Sequence, residues 1–198
     1  MRVLAIGAHP DDIEIACSGT LAKCVKRGDK VIVCHASTGN LGHVIIPPDE
    51  LTEIRKKEAE KAGSLAGIEV IGGMFNDLDI FDNNKAARDK MVEVIKYAQP
   101  DFIITHNPDD YMPDHTAVSR LVFDASFTAT LPNYKCGGEK AAKLVPIYYM
   151  DTLAGVNFNP TEFVDISDEI DLKIKMLECH ESQLVWMKEH DGIDFADM

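Results

Sequence analysis

The sequence predicts an α/β protein: a Rossmann-like, mostly parallel sheet with helices on both faces. Two observations carry this expectation. Apolar runs rich in β-branched residues alternate with amphipathic stretches along most of the chain, a pattern that builds parallel strands joined by right-handed helical crossovers. The first such run, Val3-Leu4-Ala5-Ile6-Gly7, opens directly into Ala8-His9-Pro10-Asp11-Asp12-Ile13-Glu14. A histidine and two carboxylates therefore lie beyond the carboxyl end of a strand, where open α/β sheets place their ligands.

Taken in order, Arg2–Ala8 reads as the first strand and Asp12–Lys26 as a helix ended at Gly28, with Gly19 letting that helix approach the sheet. Lys30–Ala36 is the second strand, dense in β-branched residues. Glu50–Ala66 is a helix whose Leu51, Ile54, Ala59, Ala62 and Leu65 form an apolar stripe. Ile68–Phe75 is the third strand, and Ala86–Ala98 a helix stopped by Pro100. Asp101–Thr105 is the fourth strand, His115–Ala129 a helix and Pro146–Asp151 the fifth strand. Ser167–Gln183 closes the pattern as a helix capped by Ser167, with Ile170, Ile174 and Leu177 inward. No repeat or linker interrupts this order, so residues 1–198 read as one domain.

A doubly wound order 3-2-1-4-5 makes strands one and four neighbours, so their following loops face each other across the switch point. One loop carries His9, Asp11 and Asp12; the other carries His106, Asp109, Asp110, Asp114 and His115. Two polar clusters about a hundred residues apart converge on one crevice.

Bulk properties narrow the partners. With 33 acidic and 20 basic residues the formal net charge is −13, which argues against nucleic acid and anionic membranes, since both need clustered Lys and Arg. A neutral or amine-bearing small substrate fits that charge. The five cysteines, Cys17, Cys24, Cys34, Cys136 and Cys179, contain no CxxC pair and read as free thiols of a reducing compartment. The N-terminus shows no secretory leader and no apolar stretch reaches membrane-spanning length. A cytoplasmic protein is expected.

A metal site that keeps one position for water needs nitrogen and oxygen donors on rigid elements. His9, Asp12 and His115 fit, each at or beside a helix start. Asp11, the remaining carboxylate, can then serve as general base towards water. The logic yields metal-assisted hydrolysis of an acyl bond. Glu14 reads as a helix-dipole partner or outer acceptor, and His35, His43, His180 and His190 as structural, without carboxylate or cysteine partners at ligand spacing. There is no Gly-x-Ser-x-Gly elbow and no Gly-x-Gly-x-x-Gly after the first strand, which disfavours a serine hydrolase and a dinucleotide site.

The motif His9-Pro10-Asp11-Asp12-Ile13-Glu14, with Gly19-Thr20 after it and Pro113-Asp114-His115 after the fourth strand, resembles the LmbE/PIG-L family of zinc-dependent N-acetylglucosaminyl deacetylases. The resemblance runs on to His180-Glu181-Ser182-Gln183. It implies His9, Asp12 and His115 as zinc ligands and Asp11 as base, with Fe²⁺ or Co²⁺ also suited to the donor set. It further implies Arg55 and Asp77 as contacts to the amino sugar, and a homo-oligomer. Two departures stand out. The family histidine three residues before the last ligand, which helps stabilise the oxyanion, is here Met112, a side chain that cannot donate a hydrogen bond; His106 is the nearest candidate substitute. The family segment with a Tyr-Ala-Glu-Gly-Phe-like motif has no counterpart here. The expectation is a deacetylase of N-acetylglucosamine-type substrates, with a metal- or ligand-binding protein of weakened or lost turnover as the alternative.

Overall fold

Strands β1 (Arg2–Gly7), β2 (Lys30–Ser37), β3 (Glu69–Phe75), β4 (Phe102–His106) and β5 (Ile147–Met150) form one sheet in the order β3-β2-β1-β4-β5 in this computed structural model, which describes residues 1–138 and 140–192. Every neighbouring pair is parallel. β1 lies between β2 and β4, with Val3 opposite Phe102 and Ile6 opposite Thr105. The expected strand order holds, and the loops after β1 and β4 share one edge of the sheet.

Central position explains the composition of β1: a strand covered on both faces must be apolar throughout. One face packs Val3, Ala5, Val31 and Val33 against Ile13, Leu21, Ala62 and Met176, contributed by α1 (Asp12–Ala16), α2 (Ser18–Lys26), α3 (Pro48–Ala66) and α6 (Ile170–Leu177). The other packs Leu4, Ile6, Ile32, Cys34 and Ile103 against Met91, Ile95, Val118 and Leu121 of α4 (Lys85–Ala98) and α5 (Pro113–Thr128). Helix α7 (Glu181–Trp186) and a π-helical turn, Met187–Asp191, follow. No helix among the described residues is long and apolar enough to cross a membrane.

Several local expectations are corrected. The helix expected over Asp12–Lys26 breaks at Cys17, where φ is −144°. Lys173 Nζ donates to the carbonyls of Glu14 and Ile15, and Ser18 Oγ donates to Glu14 as well, so these carbonyls bond side chains where the helix would continue. Gly19 makes room for Ile166, which a Cβ would meet at 2.7 Å, rather than for the sheet. The helix expected over Ser167–Gln183 divides into α6 and α7, with His180 at the turn. Ser167 does not cap it: its hydroxyl donates to Asp165, and Glu169 precedes the first turn. Ile170 and Ile174 face outward, at 41% and 39% exposure, while Met176 and Cys179 are buried and Leu172 packs beside them. Both sets have helical spacing, so periodicity alone leaves the phase of this helix open. On α3, Leu65 is likewise exposed, and the buried face runs through Leu51, Arg55, Ala59, Ala62 and Ala66.

All five cysteines are free; Cys136 is half-buried and the other four are buried. Burial pushes Cys17 and Cys34 up to about 12, which removes the reactive thiolate at neutral pH. The native protein is therefore expected to react rapidly with a thiol reagent at Cys136 alone, and Cys136→Ser to lose the fast phase. Rapid labelling of Cys34 on peptide mapping would contradict the packing described here.

Candidate metal and catalytic site

The loop leaving β1 turns back on itself within four residues. Gly7 sits where a Cβ would meet Asp12 Cβ and Ile13 Cγ1 at 3.1 Å, so β1 can run directly against the start of α1. Asp12 Oδ2 accepts from the His9 backbone N–H at 2.7 Å. Asp11 adopts φ +112°, a conformation that non-glycine residues rarely hold and that costs on the order of 1–3 kcal/mol. Its neighbour Asp12 begins α1 with ordinary helical geometry. Adjacent aspartates thus leave the chain in different directions.

Across the switch point, α5 opens with Pro113 and carries His115, fully buried, in its first turn. Asp12 stands between the two loops. Its Oδ1 lies 3.3 Å from His115 Nε2, and its Oδ2 lies 3.2 Å from His106 Nε2 and 3.5 Å from His9 Nδ1. One donor atom from each of His9, Asp12 and His115 lies within 4.8 Å of the other two. His106, Asp110 and His115 meet the same spacing, but His106 Nε2 also accepts the Ala8 N–H at 2.8 Å.

The far nitrogens of both histidines are occupied. His9 Nε2 meets Asp114 Oδ2 at 3.1 Å, and His115 Nδ1 meets Asp110 Oδ2 at 3.1 Å. Carboxylates in that position fix the ring and the tautomer of metal-ligating histidines. His115 Nε2, by contrast, is buried and faces Asp12 Oδ1 at 3.3 Å without hydrogen-bond geometry, a state that native interiors seldom leave uncompensated. The residues present therefore fit a divalent cation held by His9, Asp12 and His115.

The electrostatics run the same way. Burial opposes charge on Asp12, but His115 and His106 outweigh it and hold the carboxyl well below the ordinary carboxylate range. Burial also opposes charge on His9, yet hydrogen bonds to Asp114 and Asp12 raise it well above the usual histidine value. Asp11 differs. Burial, followed by the Asp12 charge, pushes it up to about 6. Two adjacent carboxyls separate into one that stays ionised and one poised near neutrality, the separation expected of groups with different roles.

The other candidates are Arg55 on α3, Asp77 after β3, Met112 before α5 and His106 at the end of β4. Arg55 is 3% exposed, not on a solvated helix face. It runs beneath the loop after β2, where Cβ atoms at Gly39 and Gly42 would meet it at 2.5 and 2.7 Å. Its Nη2 donates to Gly42 O at 3.2 Å, while its Nε has no partner. Asp77, after β3, accepts the Leu41 N–H at 2.9 Å with Oδ2 and leaves Oδ1 buried and unpartnered. Met112 precedes α5, and its N–H donates to Asp110 Oδ1 at 3.0 Å. His106 is buried and stacked on His115, with ring centroids 3.9 Å apart.

A second buried cluster escaped sequence reasoning. Glu14 Oε2 lies 3.4 Å from His180 Nε2, and Glu14 Oε1 lies 4.0 Å from His35 Nε2. Burial would raise Glu14, but His180 and His35 hold it below its usual range. His35 Nδ1 reaches the carbonyl of His9 at 3.0 Å, so this cluster supports the loop after β1 from behind. Ser182 adds two hydrogen bonds to Glu58, at 2.8 and 2.7 Å, which tie α7 to α3. The reading of His35 and His180 as lacking carboxylate partners is thereby corrected; both face Glu14 from distant segments, and no local spacing marks them. Asp110 and Asp114 were visible only as members of an acidic loop.

Comparison with known proteins places this architecture. The family model described as PIG-L, GlcNAc-PI de-N-acetylase, matches residues 4–126, from β1 through most of α5. The chain belongs to the PIG-L family. It is 29% identical over 200 residues to the diacetylchitobiose deacetylase of Thermococcus kodakarensis, covering 93% of this chain and 72% of that protein. It is 27% identical over 189 residues to the 4-oxalmesaconate hydratase of Pseudomonas putida, covering 91% and 73%. Among solved structures, the N,N'-diacetylchitobiose deacetylase of Pyrococcus horikoshii superposes with a TM-score of 0.81 at 26% identity, covering 96% of this chain and 74% of that one. This PIG-L chain is thus similar to relatives named as deacetylases and to one named as a hydratase.

Proposed function

We propose that this PIG-L protein is a zinc-dependent hydrolase that removes the N-acetyl group from an amino sugar of the N-acetylglucosamine type, or from its conjugate. The observation that carries the reading is the His9–Asp12–His115 group itself. Each histidine has its far nitrogen on a carboxylate, and a separate carboxyl, Asp11, stands beside them. His9, Asp12 and His115 would hold the metal, with Asp114, Asp110 and His106 orienting them. Zinc in such a site supplies Lewis acidity, bringing the pKa of water towards neutrality and polarising a carbonyl oxygen.

Asp11 takes the proton from water as the water oxygen bonds to the acetyl carbon and the carbonyl π pair moves to oxygen. It returns that proton to the amide nitrogen as the C–N bond breaks, releasing the free amine and acetic acid, which ionises to acetate. A carboxyl poised near neutrality can serve in both directions. Arg55 and Asp77 hold the sugar; their unpartnered Nε and Oδ1 supply hydrogen-bonding capacity beside the loop.

The test is acetate release by the zinc-loaded protein from a panel of N-acetyl amino sugars and conjugates. Zinc-dependent release from at least one sugar is expected. A second reading, hydration of a carbon–carbon double bond, draws on the hydratase relative; hydration of an unsaturated oxo-acid without acetate release would establish it. Zinc binding without turnover on either panel would favour a binding protein.

A further inference from the structure

Asp11 holds φ at +112° although its side chain makes no capping hydrogen bond to α1. A conformation of that kind persists only where the surroundings over-determine it. Here the chain is anchored on both sides of the turn. Before Asp11, the His9 carbonyl accepts from His35 Nδ1 at 3.0 Å. After it, the Glu14 carbonyl accepts from Lys173 Nζ at 2.8 Å, and the Ile15 carbonyl accepts from the same ammonium. The Glu14 carboxylate joins the two anchors. Its Oε1 faces Nε2 of the same His35 at 4.0 Å, and its Oε2 faces His180 Nε2 at 3.4 Å. All three side chains are buried. His180 comes from the turn between α6 and α7, and Ser182 ties that turn to Glu58 of α3. The metal group has separate supports: His9 Nε2 meets Asp114, and Asp12 lies against His106 and His115.

We propose that Glu14, clamped between His35 and His180, is a positioning residue that keeps the turn at Asp11 in its strained form and so aims the Asp11 carboxyl at the reacting water. The proposal rests on the reading of Asp11 as the base of a deacetylase. One carboxylate links the flanks of Asp11 to β2 through His35 and to the α6–α7 turn through His180. Both are parts of the packed scaffold, so the turn cannot relax without breaking one of these contacts. A catalytic group displaced by about 1 Å can lose about 10²-fold in rate. The metal donors keep their own partners when Glu14 is removed, so the loss reaches the base and leaves the cation in place.

In zinc-loaded Glu14→Ala, kcat for acetate release is expected to fall by about 10²-fold with KM and zinc content little changed. Glu14→Gln keeps the shape of the side chain and an acceptor oxygen, and should restore most of that kcat. A second measurement needs no substrate. The Ile15 N–H donates to the Asp11 carbonyl at 2.9 Å, so its hydrogen exchange reports the turn directly. In Glu14→Ala that exchange should accelerate by about tenfold or more, while the amides of β1 and β4 keep their protection. Should Glu14→Ala fail to fold, His180→Ala, which spares the contact between Glu14 and His35, is measured in the same way. Unchanged kcat or unchanged Ile15 exchange would overturn the proposal. So would equal acceleration of Ile15 and the sheet amides, which marks a merely structural role, or a Glu14→Gln as impaired as Glu14→Ala. Natural protein that releases no acetate from any sugar would instead defeat the deacetylase reading, and Ile15 exchange would still decide whether Glu14 holds the turn.

Discussion

Asp11→Asn is expected to keep its metal and lose nearly all turnover. The substitution is isosteric, and asparagine is among the few residues that tolerate positive φ, so the +112° conformation at this position survives. What disappears is the ability to accept a proton. Loss of a positioned general base costs about 10²–10⁴ in rate, and the fall should appear in kcat rather than in metal content. Removing a negative charge beside Asp12 changes the field at the metal group without removing a donor from it. Metal analysis and kcat measured on one preparation check the assignment. Loss of the metal, or hydrolysis at the original rate, would show that Asp11 and Asp12 do not divide their roles as proposed.

The placement of Asp11 and Asp12 at this turn was legible in the sequence because it depends on local order. A histidine, a proline and two aspartates directly after an apolar strand fix where the turn falls, and the strand order then follows from the alternation of elements. His115 was legible for the same reason, as the first-turn residue of the helix after the neighbouring strand. The partners of these groups were not. His180 reaches Glu14 across more than 160 positions of sequence, and His35 reaches the His9 carbonyl from the middle of the sheet; neither contact leaves a periodic trace. Arg55 shows the opposite difficulty. Its helix is so densely charged that an exposed face is the natural expectation, yet Gly39 and Gly42 open a passage for its guanidinium. The phase of α6 was lost because apolar residues occur on more than one of its faces, so the burial of Met176 over Ile174 is decided by tertiary packing alone.

His9→Ala is expected to abolish zinc binding while leaving the fold in place. The two outcomes separate because His9 is the most exposed of the three donors, at 14% of its side chain against 3% for Asp12 and 0% for His115. Its neighbours also keep other partners. Asp114 retains the Leu78 N–H at 2.8 Å, and Asp12 retains the His9 backbone N–H, His106 and His115. No buried charge is left alone, which is the condition that makes loss of one polar partner severely destabilising. The metal has no such reserve. Loss of a direct donor should weaken zinc by more than the roughly 10–100-fold that loss of an outer partner costs. A cation that binds only the native state stabilises it by mass action. The Tm of the natural protein should therefore rise on adding zinc and fall on chelation, whereas the Tm of His9→Ala should respond to neither and match that of the chelated natural protein. A zinc-dependent Tm in His9→Ala would show that the cation is held by other groups, with His106, Asp110 and His115 the next set to examine.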